Sequence, residues 1–119
     1  MKILLVFLGG GLGSVCRYAV SVAMARSGSP LPWATLLVNV LGCLLIGLLA
    51  QTLARDSVLR ALFIAGFCGG FTTFSTFVNE GTALGRDGNL TGLALYVAGS
   101  VAVGFVCLWA GNSMARAVQ

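Results

Sequence analysis

Four long apolar runs, at residues 3–25, 33–54, 58–80 and 90–115, hold most of the chain's hydrophobic positions, and turn-forming residues gather between them. Each is long enough to cross about 30 Å of hydrocarbon as a helix, and none carries the polar face that a helix of a soluble bundle needs. The first run is interrupted only by Arg17 and is closed by Ser27, Gly28, Ser29, Pro30 and Pro32, which is turn chemistry. The second starts at Trp33, a residue suited to headgroup level, and stays uncharged to Ala54. Arg55, Asp56 and Ser57 make the next connection, and Arg86, Asp87 and Gly88 the last. Connections this short force neighbouring spans antiparallel.

The third run differs from the others. Its middle reads GFCGGFTTFSTF, residues 66–77, with Gly69 and Gly70 followed by four hydroxyl residues, Thr72, Thr73, Ser75 and Thr76, in five positions. Glycine weakens a helix, and Ser and Thr side chains compete for its backbone, so a continuous helix is disfavoured here. Unwound backbone at membrane depth is tolerated where protein buries it or where it lines a polar cavity. The expectation is therefore an all-α integral membrane protein, a single domain over residues 1–119, with four transmembrane helices and the third broken mid-membrane. Gly9 with Gly13, and Gly66 with Gly70, have the small-xxx-small spacing that lets membrane helices approach closely.

Composition supports lipid as the solvent. Hydrophobic residues make up 58% of the chain and charged residues 8%, with a mean hydropathy of +0.99, against roughly 25% charged in a soluble domain. The net charge of +4 would raise nucleic-acid binding in a soluble protein. Here the Lys and Arg residues are scattered and mostly flank apolar runs, which reads as membrane flanks and no nucleic-acid partner. Lys2, Arg55, Arg60 and Arg116 fall on the side of both termini, and Arg26 and Arg86 on the other. Four against two is a weak bias, compatible with insertion in one orientation or both. Cys16, Cys43, Cys68 and Cys107 each lie inside an apolar run, with no CxxC spacing and no histidine, so neither disulfides nor zinc are expected. The N-terminal run is expected to stay as a helix: Val15 is large where leader cleavage needs a small residue, and removal would cost the bundle a span.

Polar groups at membrane depth suggest function because they are costly there. Asn39 sits in the middle of the second span, either as a pore donor or as a hydrogen bond that glues helices. Tyr96 and Ser100, four apart, put two hydroxyls on one face of the fourth span. Alternatively Ser100 bonds its own backbone and Tyr96 sits near the interface. Phe74 and Phe77 project together if the helix resumes there, and ring edges turned to a cavity would attract a small anion, although such a pair can also simply pack. Arg17 lies about 13 Å from the end of its span, too deep for easy snorkelling, so a water-filled vestibule is expected beside it. Glu80 could carry a proton, cap the resumed helix or pair with an arginine. No nucleophile and base set is present, so no enzyme is expected.

GFCGGFTTFSTF followed by Glu80, GGGLGSVCRY at residues 9–18, ATLLVNVLGCLLIG at 34–47 and the Tyr96 and Ser100 pair closely resemble the fluoride channels of the CrcB/Fluc family. The resemblance touches all four spans. It implies a fluoride-selective channel that exports fluoride passively from a bacterial cell across its inner membrane, built as an antiparallel dual-topology homodimer with two pores. It further implies a structural Na+ at the dimer centre, held by the backbone carbonyls of Gly69 and Thr72. The fluoride path would be lined by Asn39, Phe74, Ser75, Thr76, Phe77, Tyr96 and Ser100, with Arg17 in the vestibule. Gly104 departs from the pattern, standing where some members carry a further serine, and Phe71 where a smaller aliphatic residue is common; the latter is expected to be tolerated.

Two other classes remain in view. A small proton-coupled multidrug exporter has a similar size, but relies on a carboxylate in its first span, where this chain has none; Glu80 is the substitute. A purely structural protein would use every polar residue as helix glue, which does not explain four hydroxyls within five positions.

Overall fold

The computed structural model describes all residues, 1–119, and is entirely helical. Helix α1 spans Lys2–Met24 and tightens into a 3-10 turn over Ala25–Ser27; Gly28 then reverses the chain at a φ of +64°, a left-handed value that favours glycine. Helix α2 spans Trp33–Thr52. The first half of the third span, α3 (residues 57–71), begins as an α-turn at Ser57–Leu59, widens into a π-helix over Arg60–Cys68 and closes as an α-turn at Gly69–Phe71. Helix α4, Phe74–Arg86, is its second half, and α5 covers Leu90–Val118. Four helical stretches, Lys2–Ser27, Trp33–Thr52, Ser57–Arg86 and Leu90–Val118, are long and apolar enough to cross a membrane. The chain is a multi-pass membrane protein by this measure.

The helix ends follow local chemistry. Asp56 starts α3 by accepting from the amides of Val58 at 3.0 Å and Leu59 at 2.9 Å, and Asn89 starts α5 by accepting from Gly92 at 2.9 Å, both N-caps. The third and fourth spans run to Arg86 and Val118, beyond the residues 80 and 115 expected. Only at Asp87 and Gly88, with Gly88 at a φ of +74°, does a true stop signal arrive. The second ends at Thr52, before the expected residue 54, because Leu53 already turns away.

Two seams of main-chain contact hold the bundle. Helix α1 packs mainly against α3, and α2 mainly against α5. At the first seam a Cβ on Gly9 would overlap the Leu62 carbonyl, one on Gly13 the Phe67 carbonyl, and one on Gly70 the Gly10 carbonyl. At the second, Gly47 faces the Leu108 carbonyl and Gly111 the Leu44 carbonyl in the same way. Lipid tails are as apolar as leucine, so helices associate here through close packing rather than through the hydrophobic effect, and glycine permits the closest approach. The expected Gly9/Gly13 and Gly66/Gly70 pairs lie on the first seam; the second was not anticipated.

Candidate functional site at the helix break

The third span does break at its centre, but not at its glycines. Gly69 and Gly70 are both helical, Gly70 packed against Gly10 on the α1 seam and Gly69 exposed, whereas Thr72 and Thr73 are extended, with φ, ψ of −81°, 159° and −152°, 123°. Two side chains favour this break. The Thr73 hydroxyl caps α4 by accepting from the Thr76 amide at 3.3 Å. Asn39, on α2, holds both main-chain groups of Thr73: its Oδ1 accepts the Thr73 N–H at 2.8 Å and its Nδ2 donates to the Thr73 carbonyl at 3.0 Å.

Those bonds decide which carbonyls are left over. In a continuous helix the Thr73 amide would serve the Gly69 carbonyl and the Thr76 amide that of Thr72. Both amides are engaged by side chains instead, so the Gly69 and Thr72 carbonyls lose their helical donors. The Gly70 carbonyl between them is capped from α1, by Arg17 Nε at 3.0 Å and Ser14 Oγ at 3.4 Å. Arg17 thus spends one donor on the break and keeps its two terminal nitrogens.

Arg17 also lines a polar cavity of about 190 Å³ together with Ser14, Tyr18, Ser21, Thr35, Thr73 and Thr76. Several lining hydroxyls are already committed: Ser21 donates to the Arg17 carbonyl and Thr73 to Thr76. The Thr76 hydroxyl receives that bond and keeps its own proton, and the Asn39 amide keeps a second N–H.

Beyond the break, aromatic rings form a row. Phe74 and Phe77 have centroids 5.9 Å apart and Phe77 and Tyr96 5.1 Å, tilted rather than stacked. Phe74 is 77% exposed on the protomer surface, while Tyr96 is buried. The Tyr96 hydroxyl donates to Glu80 Oε2 at 2.9 Å, and the Thr35 hydroxyl donates to Glu80 Oε1 at 2.9 Å. The carboxylate therefore pairs with two hydroxyls rather than with an arginine. Glu80 borders a second cavity of about 260 Å³, lined also by Ser29, Pro30, Leu31, Pro32, Ala83, Leu84 and Asp87. Thr35 faces the first cavity and Glu80 the second, so their hydrogen bond stands between the two.

The structure brings Arg17, Asn39, Gly69, Thr72 and Thr76 together at the break, and Phe74, Phe77, Glu80 and Tyr96 just beyond it. Ser75 is exposed and makes no hydrogen bond within the protomer, on a different side from Thr76. Ser100 does not bond its own backbone; its hydroxyl is buried and unpartnered. Tyr96 is buried within the bundle. Thr35, Ser14, Tyr18 and Ser21 were not among the expected site residues, and Thr73 entered only as one of the four hydroxyls at the break. Single hydroxyls on long apolar helices carry no signal of their own; only the i, i+3, i+4 and i+7 spacing of Ser14, Arg17, Tyr18 and Ser21 marks a common face. Thr35 is 4% exposed, and Thr35→Val, nearly isosteric, would leave Glu80 Oε1 without its donor. A stability loss of about 1–3 kcal/mol is expected, seen as a lower Tm of the purified protein in detergent.

Comparison with known proteins accords with this geometry. Residues 4–112 match the family model described as CrcB-like protein, Camphor Resistance (CrcB). A protein of Chlorobaculum tepidum named fluoride-specific ion channel FluC is 46% identical, covering 99% of this chain and 97% of its own. Its namesakes in Chlorobium luteolum and Phocaeicola vulgatus are 44% and 42% identical, covering 98% and 97% of this chain and 93% and 98% of their own. None of these carries the name of an exporter or of an enzyme. A four-span chain broken at a hydroxyl-rich centre, matched along nearly its whole length, belongs to the CrcB family.

Proposed function

We propose that this chain forms a fluoride-selective channel, passive rather than enzymatic or proton-coupled, that lowers cytoplasmic fluoride from within the inner membrane of a bacterium. The observation that carries the reading is the convergence, at the centre of the third span, of a cavity holding Arg17 and Thr76 with the Phe74, Phe77 and Tyr96 ring row. Fluoride is small and strongly hydrated, so a path must replace its water with donors. Free protons at the Arg17 terminal nitrogens, the Thr76 hydroxyl and the second Asn39 N–H supply them in the cavity, and ring edges, which are electropositive, continue them past the break. The first amides of α4 also face the break, and a helix N-terminus favours an anion. The Tyr96 proton is held by Glu80. Its contribution to the path requires that bond to open, while Ser100 and Ser75 offer hydroxyls free of protein partners.

The working unit is an antiparallel dual-topology homodimer. Gly69, Phe74 and Ser75 are exposed on the protomer at the middle of a span, where lipid offers no hydrogen bonds. A second copy seated there would cover the Gly69 and Thr72 carbonyls and complete the ring row. The weak charge asymmetry suits insertion in both orientations. Where two breaks meet, carbonyls deprived of their helical donors are hard oxygen ligands of the kind an alkali cation takes, so Gly69 and Thr72 fit a structural Na+. That ion would neutralise the carbonyl ends and tie the two breaks together.

Purified protein reconstituted at low density in liposomes tests the reading, with fluoride inside one sample and chloride inside another, followed by ion-selective electrodes. Rapid fluoride loss with chloride retained is expected. Release of neither ion from a folded dimer, or of both alike, would overturn it.

A further inference from the structure

We propose that Asn39 acts as the positioning residue of the cation site, holding the break open at Thr73 so that the Gly69 and Thr72 carbonyls stay available, rather than serving only as an anion donor. The inference rests on the reading of the break as a cation site. It starts from the two hydrogen bonds that one amide makes to one residue: Asn39 Oδ1 to the Thr73 N–H and Asn39 Nδ2 to the Thr73 carbonyl, at 2.8 and 3.0 Å. A side-chain amide that satisfies both main-chain groups of a residue reproduces the pairing of a neighbouring strand, and it fits Thr73 only while that residue is extended. Thr73 has that conformation.

The consequence lies four residues back. If the Thr73 N–H were released, its nearest acceptor along the chain would be the Gly69 carbonyl, and the bond between them would extend α3 by one residue. That bond would withdraw one of the two candidate ligands from the site. Extension would also swing the Thr72 peptide out of its extended conformation and align its carbonyl along the helix axis. The α1 clamp sharpens the selection. Arg17 and Ser14 occupy the Gly70 carbonyl, so one of the two carbonyls between Gly69 and Thr72 is withheld from a cation while those of Gly69 and Thr72 are not. Gly42 completes the arrangement: it lies one turn beyond Asn39 on α2, and a Cβ there would collide with the Thr72 methyl. The clamp and the space for the clamped residue come from the same face of α2.

The test uses the purified full-length protein in detergent, with sodium chloride titrated into N-methylglucamine chloride at constant ionic strength and thermal unfolding as the readout. Wild type is expected to gain stability with sodium along a saturating curve. Asn39→Leu removes both hydrogen bonds at similar volume. Asn39→Ser, which leaves room for water to solvate Thr73, is a milder second variant should the leucine not fold. Either variant is expected to need at least tenfold more sodium for half of its stabilisation, and fluoride flux in liposomes should regain part of its rate at high sodium. A folded variant with the wild-type sodium curve would overturn the positioning role, whatever its flux. Wild type indifferent to sodium would remove the cation site and this role with it, and flux from the same preparation would then show separately whether the channel reading survives.

Discussion

Gly13→Val is expected to abolish the folded protein, whereas Gly11→Ala, two residues away on the same helix, should leave yield and Tm close to wild type. A Cβ on Gly13 would overlap the Phe67 carbonyl and sit 2.8 Å from the Phe71 amide, and both partners are main chain. A side-chain neighbour can change rotamer to make room, at a typical cost of about 1–3 kcal/mol. Main chain cannot do so without moving a helix, so the cost here should exceed about 3 kcal/mol, a size reserved for a few severe mechanisms. Displacing α1 also opens the bonds from Ser14 and Arg17 to the Gly70 carbonyl. That leaves a polar group unpaired at membrane depth. A Cβ on Gly11 meets no atom of the protomer within 4 Å. Detergent extracts run by size exclusion should show loss of the monodisperse peak for the first variant and its retention for the second. Equal behaviour of the two would mean that α1 and α3 do not meet as closely as described.

The number and placement of the spans were legible because lipid imposes one requirement, about 20 apolar residues, and the chain states it four times without ambiguity. The break was legible for a reason that proved only half right. Glycine marks weak helix, yet Gly69 and Gly70 stay helical, and at Gly70 the glycine is required by the Gly10 main chain that passes close to it. The unwinding falls instead on Thr72 and Thr73, where a hydroxyl cap and the Asn39 amide both compete for the helical amides. The π-helical widening over Arg60–Cys68 left no mark in the residue pattern. It is a matter of hydrogen-bond register, and apolar residues admit either register.

Site residues divide along the same line. Arg17 and Glu80 could be singled out because a charge in or at the end of an apolar run is costly at membrane depth. Thr35 could not. Its hydroxyl matters only because the fold brings Glu80 within 2.9 Å, across 45 positions of sequence. The expected role of Asn39 was incomplete for a related reason. Pore donor and helix glue were set against each other, but an amide has enough hydrogen-bonding capacity for both, two bonds to Thr73 and one N–H to spare.

Phe77→Ile is expected to lower fluoride release from liposomes at least tenfold while the protein keeps the wild-type elution profile. Phe77 is the middle of the ring row, 5.9 Å from Phe74 and 5.1 Å from Tyr96. On the proposed path it follows Thr76, which lines the polar cavity. Isoleucine fills most of the same space with no positive edge to present, so the change removes attraction without opening a large hole. An attraction of about 1.4 kcal/mol lost at the limiting barrier corresponds to roughly a tenfold fall in rate. Phe74→Ile should act in the same direction with less effect on stability, because Phe74 is 77% exposed on the protomer and packs against little of its own chain. The two variants also separate path from scaffold. If the rings only packed, Phe77→Ile would lower the Tm and leave flux per folded protein unchanged, and Phe74→Ile would do almost nothing. Full flux in both variants would move the path off the ring row and toward the free hydroxyls of Ser75 and Ser100.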